Sequence, residues 1–104
     1  MEHFVLLKHT SDQCPTANST VRKLFMKGAN ELPKLAQKLG VKFLAGPLIS
    51  SAHTSVAVVQ AEKVDAVRDL VLQSGLIQWN SIEVVPSITM EQAIVEVEKL
   101  TPIY

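Results

Sequence analysis

Apolar side chains change their spacing along this chain, and each change marks an element boundary. His3 to Thr10 (HFVLLKHT) is a short apolar run of strand formers, closed by Ser11, Asp12 and Pro15. Val21, Leu24, Phe25, Gly28, Leu32, Leu35 and Leu39 then recur at steps of three or four, the spacing of one helical face. Asn18 or Ser19 suits the start of that helix, and Gly40 suits the position just past its end. Pro33 lies inside the stripe and predicts a kink or a break into two helices near Asn30 to Leu32, because proline removes a helical N–H and its ring crowds the preceding turn. Val41 to Ser51 reads as a second strand, interrupted by Gly46-Pro47 as at a bulge or a sheet edge. Thr54 to Ala61, with Val56 to Val59 all apolar, is a third, and Ser50 to His53 between them is short enough for a hairpin. Val64 to Ser74 places Val64, Val67, Leu70 and Val71 on one helical face, with Gly75 as the stop. Ser81 to Ile88 is the fourth strand. Thr89 to Leu100 opens with Thr89 and Gln92 at capping-box spacing and carries Ile94, Val97 and Leu100. Met26 and Met90 read as core or gap-filling residues.

Strand-helix-strand twice over, in one short chain, predicts an α+β fold of the ferredoxin-like βαββαβ kind: a four-stranded antiparallel sheet, helices on one face and a short C-terminal helix. Right-handed crossovers would make the first and third strands antiparallel neighbours. An antiparallel sheet covered on one face alternates apolar and polar residues. The first strand instead reads Phe4-Val5-Leu6-Leu7 and the third Val56-Ala57-Val58-Val59, so apolar side chains point both ways. Helices cover one face. A second copy of the chain is the simplest cover for the other, and a homodimer packed through its sheets is expected.

The 104 residues form a single domain, 1-104, because a second would leave neither enough core. Ten basic residues balance ten acidic ones without a long run of either sign, so the electrostatic footprint of a nucleic-acid binder is missing. Five aromatics give little for base stacking. One cysteine forms no internal disulfide, and the N-terminal residues lack the basic and long apolar regions of a signal peptide. No apolar stretch approaches the roughly 20 residues that span a bilayer. A cytoplasmic protein without membrane or nucleic-acid partners is the expectation.

Over residues 3 to 88, the order of elements and the doubly apolar strands resemble the dimeric α/β-barrel superfamily, in particular its small single-domain members. Relatives of that fold include cofactor-free monooxygenases, ring-opening isomerases, haem-modifying enzymes and effector-sensing domains. The resemblance implies a dimer and a pocket between sheet and helices or at the dimer interface. It carries no common catalytic motif onto these residues, and fold alone does not license function.

The chemistry-bearing residues are few, and the expected topology gathers them. His9 ends the first strand and His53 begins the third, so antiparallel pairing sets their Cα atoms about 5 Å apart. Cys14 sits in the long polar loop Ser11 to Ser19 that passes over the same sheet end. Two imidazoles and a thiolate suit zinc, copper or iron, with water, Asp12 or a partner-chain residue in the fourth position. The same trio suits a base and nucleophile pair in a cofactor-independent enzyme, and Cys14 before Pro15 invites a thiol activated at the start of a helical turn. Against both stands the bland reading: strand-end histidines bonded to nearby carbonyls, a cysteine acting as a small hydrophobe, and an interaction module without a site. No CxxC, HxxxH or HExxH spacing accompanies the trio, so any site is assembled by the fold. Asn18 is a further ligand contact or a helix cap, and Trp79 is a pocket roof, a rim aromatic or a dimer contact. His3 is in phase with His9 but at the other end of its strand, outside the cluster.

Overall fold

A computed structural model describes residues 1–104 and shows an α+β fold with one four-stranded antiparallel sheet and three helices. The strands are β1 (Glu2–Lys8), β2 (Lys42–Ile49), β3 (Thr54–Gln60) and β4 (Ser81–Ser87). The helices are α1 (Ser19–Leu39) between β1 and β2, α2 (Val64–Gln73) between β3 and β4, and α3 (Met90–Glu98) after β4. The strand order is β2-β3-β1-β4. Single turns of 3₁₀ helix at Ser11–Gln13 and Leu76–Gln78 lead into α1 and β4.

The alternation along β1 sets the two faces. His3, Val5 and Leu7 are buried, while Phe4, Leu6 and Lys8 are exposed. Val5 pairs with Ala57 and Val84, and Leu7 with Ser55 and Ile82, so these residues share the inner face. Against it pack Ala36 of α1 and Val67, Leu70 and Val71 of α2, forming one core with Val5, Leu7, Ala57 and Val59. Burying each such aliphatic side chain is worth roughly 1.5–3 kcal/mol. The two helices approach closely at Gly28, where a Cβ would sit 2.6 Å from the Ser74 carbonyl oxygen. The edge strand β2 keeps Phe43 and Ile49 opposite the inner residues Val59 and Ser55. It does so through two register irregularities, one on each side of Ala45. No helix is long and apolar enough to cross a membrane.

Local signals set most boundaries. Asn18 caps α1 by accepting from the Val21 N–H at 3.0 Å, Gly40 closes the helix in the left-handed region, and Thr89 and Gln92 form the capping box of α3. Of the kink or break expected at Pro33, the break does not occur: α1 runs as one helix from Ser19 to Leu39. Pro33 and Ala29 are both exposed, so the carbonyl that loses its helical partner faces water, which satisfies it. Met26 and Met90 are also corrected, from core to surface, at 53% and 73% exposure. Met26 falls off the α1 stripe, and α3 buries none of its residues.

His3 lies fully buried in the inner layer, and neither ring nitrogen has a hydrogen-bond partner. A buried polar group without a partner costs about 1–3 kcal/mol of desolvation. Replacing it with an apolar side chain of similar size removes that cost and keeps the strand pattern. His3→Leu is expected to raise unfolding stability by about 1 kcal/mol, read as an upward shift of the urea midpoint. An unchanged or lower midpoint would show that the imidazole is satisfied.

Candidate metal centre at one end of the sheet

One residue beyond the last pairs of β1, both registers continue. Lys8 pairs with Thr54 on β3 and with Ser81 on β4, so the next positions are His9, His53 and Asn80, in a row across three strands. The backbone confirms the first step: the His9 N–H donates to the His53 carbonyl at 3.1 Å. All three continue the inner-face parity of Val5 and Leu7, so the two histidines meet. Their ring centroids are 5.1 Å apart, and His9 Nε2 lies 3.3 Å from His53 Nδ1. His53 closes the hairpin between β2 and β3 with φ +62°, in the left-handed region that costs a residue with a Cβ about 1 kcal/mol or more.

The tautomer of His9 follows from its neighbours. The Asn80 amide nitrogen donates to the Leu76 carbonyl at 3.0 Å, which turns its oxygen toward His9 Nδ1, 3.3 Å away. An amide oxygen only accepts, so His9 carries its proton on Nδ1 and leaves the lone pair on Nε2, facing His53. His53 Nδ1–H then donates to that lone pair, or both nitrogens present lone pairs to a common ion.

Cys14 arrives from the loop between β1 and α1, and the first turn of α1 holds that loop in place. Asn18 Nδ2 donates to the Asp12 carbonyl at 3.1 Å, while Arg22 Nε and Nη2 donate to the carbonyls of Pro15 and Thr16 at 2.8 and 2.9 Å. These bonds place the largely buried Cys14 thiol so that one ligand atom each from His9, Cys14 and His53 lies within 4.8 Å of the others. The Thr16 hydroxyl, 3.0 Å from Sγ, pulls the thiol below its ordinary range, the Thr16 backbone adds to this, and His53 contributes less. The cause is therefore a side-chain hydroxyl and not the helix start expected from Pro15.

Trp79, the C-terminal flank of the second 3₁₀ turn, packs its indole 5.2 Å from the His9 ring and 5.9 Å from Phe25, and so forms one wall beside the histidines. Asn18 and Asp12 stand apart. The Asn18 amide is engaged at both ends as a cap and loop tether. Asp12 is exposed, and its carboxyl is held below the usual range chiefly by the Thr10 side chain. Asn80, Thr16 and Arg22 were not singled out from the sequence. Extending the β1–β4 register by one position is the signal that finds Asn80.

Two adjoining chambers lie at this end of the inner face. A polar one of about 380 Å³ is bounded by His9, Cys14, His53, Thr16 and the serines at 50, 51 and 55. An apolar one of about 280 Å³ runs between sheet and helices, and fourteen of its seventeen lining residues are hydrophobic. In comparisons with known proteins, no family model and no curated protein matches the chain.

With Thr16 as the main cause, the thiolate absorbance of Cys14 is expected to titrate with a midpoint below the ordinary thiol value of about 8.5. Thr16→Val should move that midpoint upward. The lowered folded-state value means that the thiolate's contribution to stability is present above the unfolded thiol's range and is lost as pH falls through the folded midpoint. A midpoint that ignores Thr16 would remove the hydroxyl from this role.

Proposed function

We propose that the chain is a homodimeric metal-binding protein of the ferredoxin-like, dimeric α/β-barrel type, with a transition ion held by His9 Nε2, His53 Nδ1 and Cys14 Sγ. The observation that carries this reading is the mutual approach of the three ligand atoms, with the lone pair of His9 already turned inward by Asn80. Two nitrogens bound to zinc at about 2.0–2.1 Å in a tetrahedron stand about 3.3 Å apart, the separation found between these imidazoles. The corresponding nitrogen–sulfur edge is about 3.6 Å, so a shift of roughly 1 Å by the Cys14 loop closes the set. The bond from His9 Nδ1–H to Asn80 is the outer support that metal-bound histidines use. Zinc fits the donor set best, with copper and iron as the alternatives of the same chemistry. Three protein ligands leave a fourth position open, as in reactive sites and unlike closed structural ones.

A second reading is favoured by the lowered Cys14 thiol beside His53: a cofactor-independent enzyme in which thiolate and imidazole act as nucleophile and base. Metal content separates the two. Purified protein dialysed against zinc is expected to hold one ion per chain by elemental analysis. His53→Gly should abolish retention while the metal-free fold gains about 1 kcal/mol from relief of the left-handed strain. Asn80→Ala, which frees the His9 ring, should weaken zinc binding about tenfold to a hundredfold. Zinc bound with equal affinity by the wild type and His53→Gly would sink the metal reading.

The dimer rests on the outer sheet face. Phe4, Leu6 and Val85 are 44%, 37% and 37% exposed, and with Val56 and Val58 they form an apolar patch that Glu83 of β4 borders beside Leu6 and that Lys8, Thr54, Gln60 and Ser81 rim. An apolar centre with a polar rim is the anatomy of a protein interface. Sedimentation equilibrium at micromolar concentration is expected to give twice the chain mass of 11.4 kDa, and Leu6→Glu to give the single mass. A wild-type monomer under those conditions would refute the assembly.

A further inference from the structure

The apolar cavity and the histidine-cysteine chamber share four wall residues, Phe25, Ile49, Ser55 and Trp79, so the group of metal-binding side chains sits at the polar mouth of an apolar space. Ser55 stands at the junction. It pairs with Leu7 of β1 and Ile49 of β2 on the inner face, one cross-strand pair removed from His9 and His53. The walls deeper in are aliphatic and aromatic, and no charged side chain lines this cavity. The space of about 280 Å³ between sheet and helices is partly open to solvent, at exposed Ala29 and Ile49, so an apolar body can enter it from outside. A cavity of about 150 Å³ already accepts benzene.

The donor set specifies the head of the occupant. A divalent ion bound by two neutral imidazoles and one thiolate keeps a net positive charge and an open position, which an anionic oxygen fills and neutralises.

We infer that this chain binds a small aromatic carboxylate, its ring in the apolar cavity and its carboxylate at the metal held by His9, Cys14 and His53. The inference rests on the metal reading above. The geometry divides recognition in two: the metal reads the anionic head, and the cavity reads the body. Acetate offers the head alone and toluene the body alone.

The test uses full-length protein loaded with cobalt(II), whose visible absorption reports ligation. The thiolate-to-cobalt charge-transfer band should appear in the wild type and vanish in His53→Gly. Benzoate should then shift the cobalt bands with an affinity at least tenfold tighter than acetate. Toluene alone should leave the bands in place. Ser55→Leu, which plugs the junction, should keep the charge-transfer band and lose the preference for benzoate over acetate. Its retained cobalt spectrum also reports that the variant is folded. Ala29→Trp fills the cavity from the exposed side of α1 and should act in the same direction. Equal affinities for benzoate and acetate, or no spectral change with either, would overturn the carboxylate inference while leaving the metal centre standing. Absence of the charge-transfer band in the wild type would instead remove the metal centre, and the inference with it.

Discussion

The position of β1 between two antiparallel neighbours is the constraint on which the rest depends. Each of its residues has a fixed partner on both sides, so the inner-face sequence His3, Val5, Leu7, His9 dictates what stands beside each residue. A slip of one residue would turn every one of these side chains outward. It would expose Val5 and Leu7, which α1 and α2 bury, and it would take His9 away from His53 and Asn80. The core and the site are therefore held by the same register. The hydrophobic energy that locks the core also fixes the geometry at the strand end, without further hydrogen bonds being required to choose it.

What the register cannot supply is the sulfur, since Cys14 belongs to no strand. Its placement depends on the first turn of α1, where Asn18 and Arg22 capture three backbone carbonyls of the preceding loop. Those carbonyls would otherwise face water, and Arg22 is exposed, so the tether is modest in energy. A loop held in this way is positioned by exposed bonds alone, and the ligand set proposed above needs it to move by about an ångström. The strained backbone of His53 belongs to the same pattern: a cheaper residue for a left-handed position would be glycine, and glycine carries no ligand.

The sheet divides its two faces between different tasks. The inner face carries the core, a cavity walled largely by that same core, and the histidine pair at its rim. The outer face is apolar along β1 and β3, with Glu83 of β4 beside Leu6, and α3 lies beyond β4 with every residue at least partly open to solvent. Chain dimensions of 53 × 32 × 18 Å fit this projection, and the radius of gyration of 16.1 Å exceeds the roughly 13 Å of a compact domain of this length. Both surfaces are ones that a second copy would cover, and the inner-face parity of His9 and His53 sets their side chains on the opposite side of the sheet from the outer patch. The proposed assembly and the proposed chemistry are physically separable for that reason.

The amino-acid sequence alone determined whatever depends on near neighbours. The periods of apolar residues specify all four strands and all three helices, because each period is the geometry of one element's own backbone. Asn18, Gly40 and Thr89 with Gln92 act on orphan groups within a few residues, so their roles were legible too. The meeting of His9, Cys14 and His53 was legible as topology, since the end of the first strand must lie beside the start of its antiparallel neighbour. Which way those side chains point was decided only by tertiary structure, because parity passes from one face to the other with a single-residue slip. Asn80 bonds to a histidine 71 positions away, and nothing local distinguishes it from any other turn asparagine. The continuity of α1 through Pro33 was likewise decided by exposure, which lets water replace the lost bond. The cavity, the burial of His3 and the surface positions of Met26 and Met90 depend on how elements face one another, a choice made by packing the whole core at once.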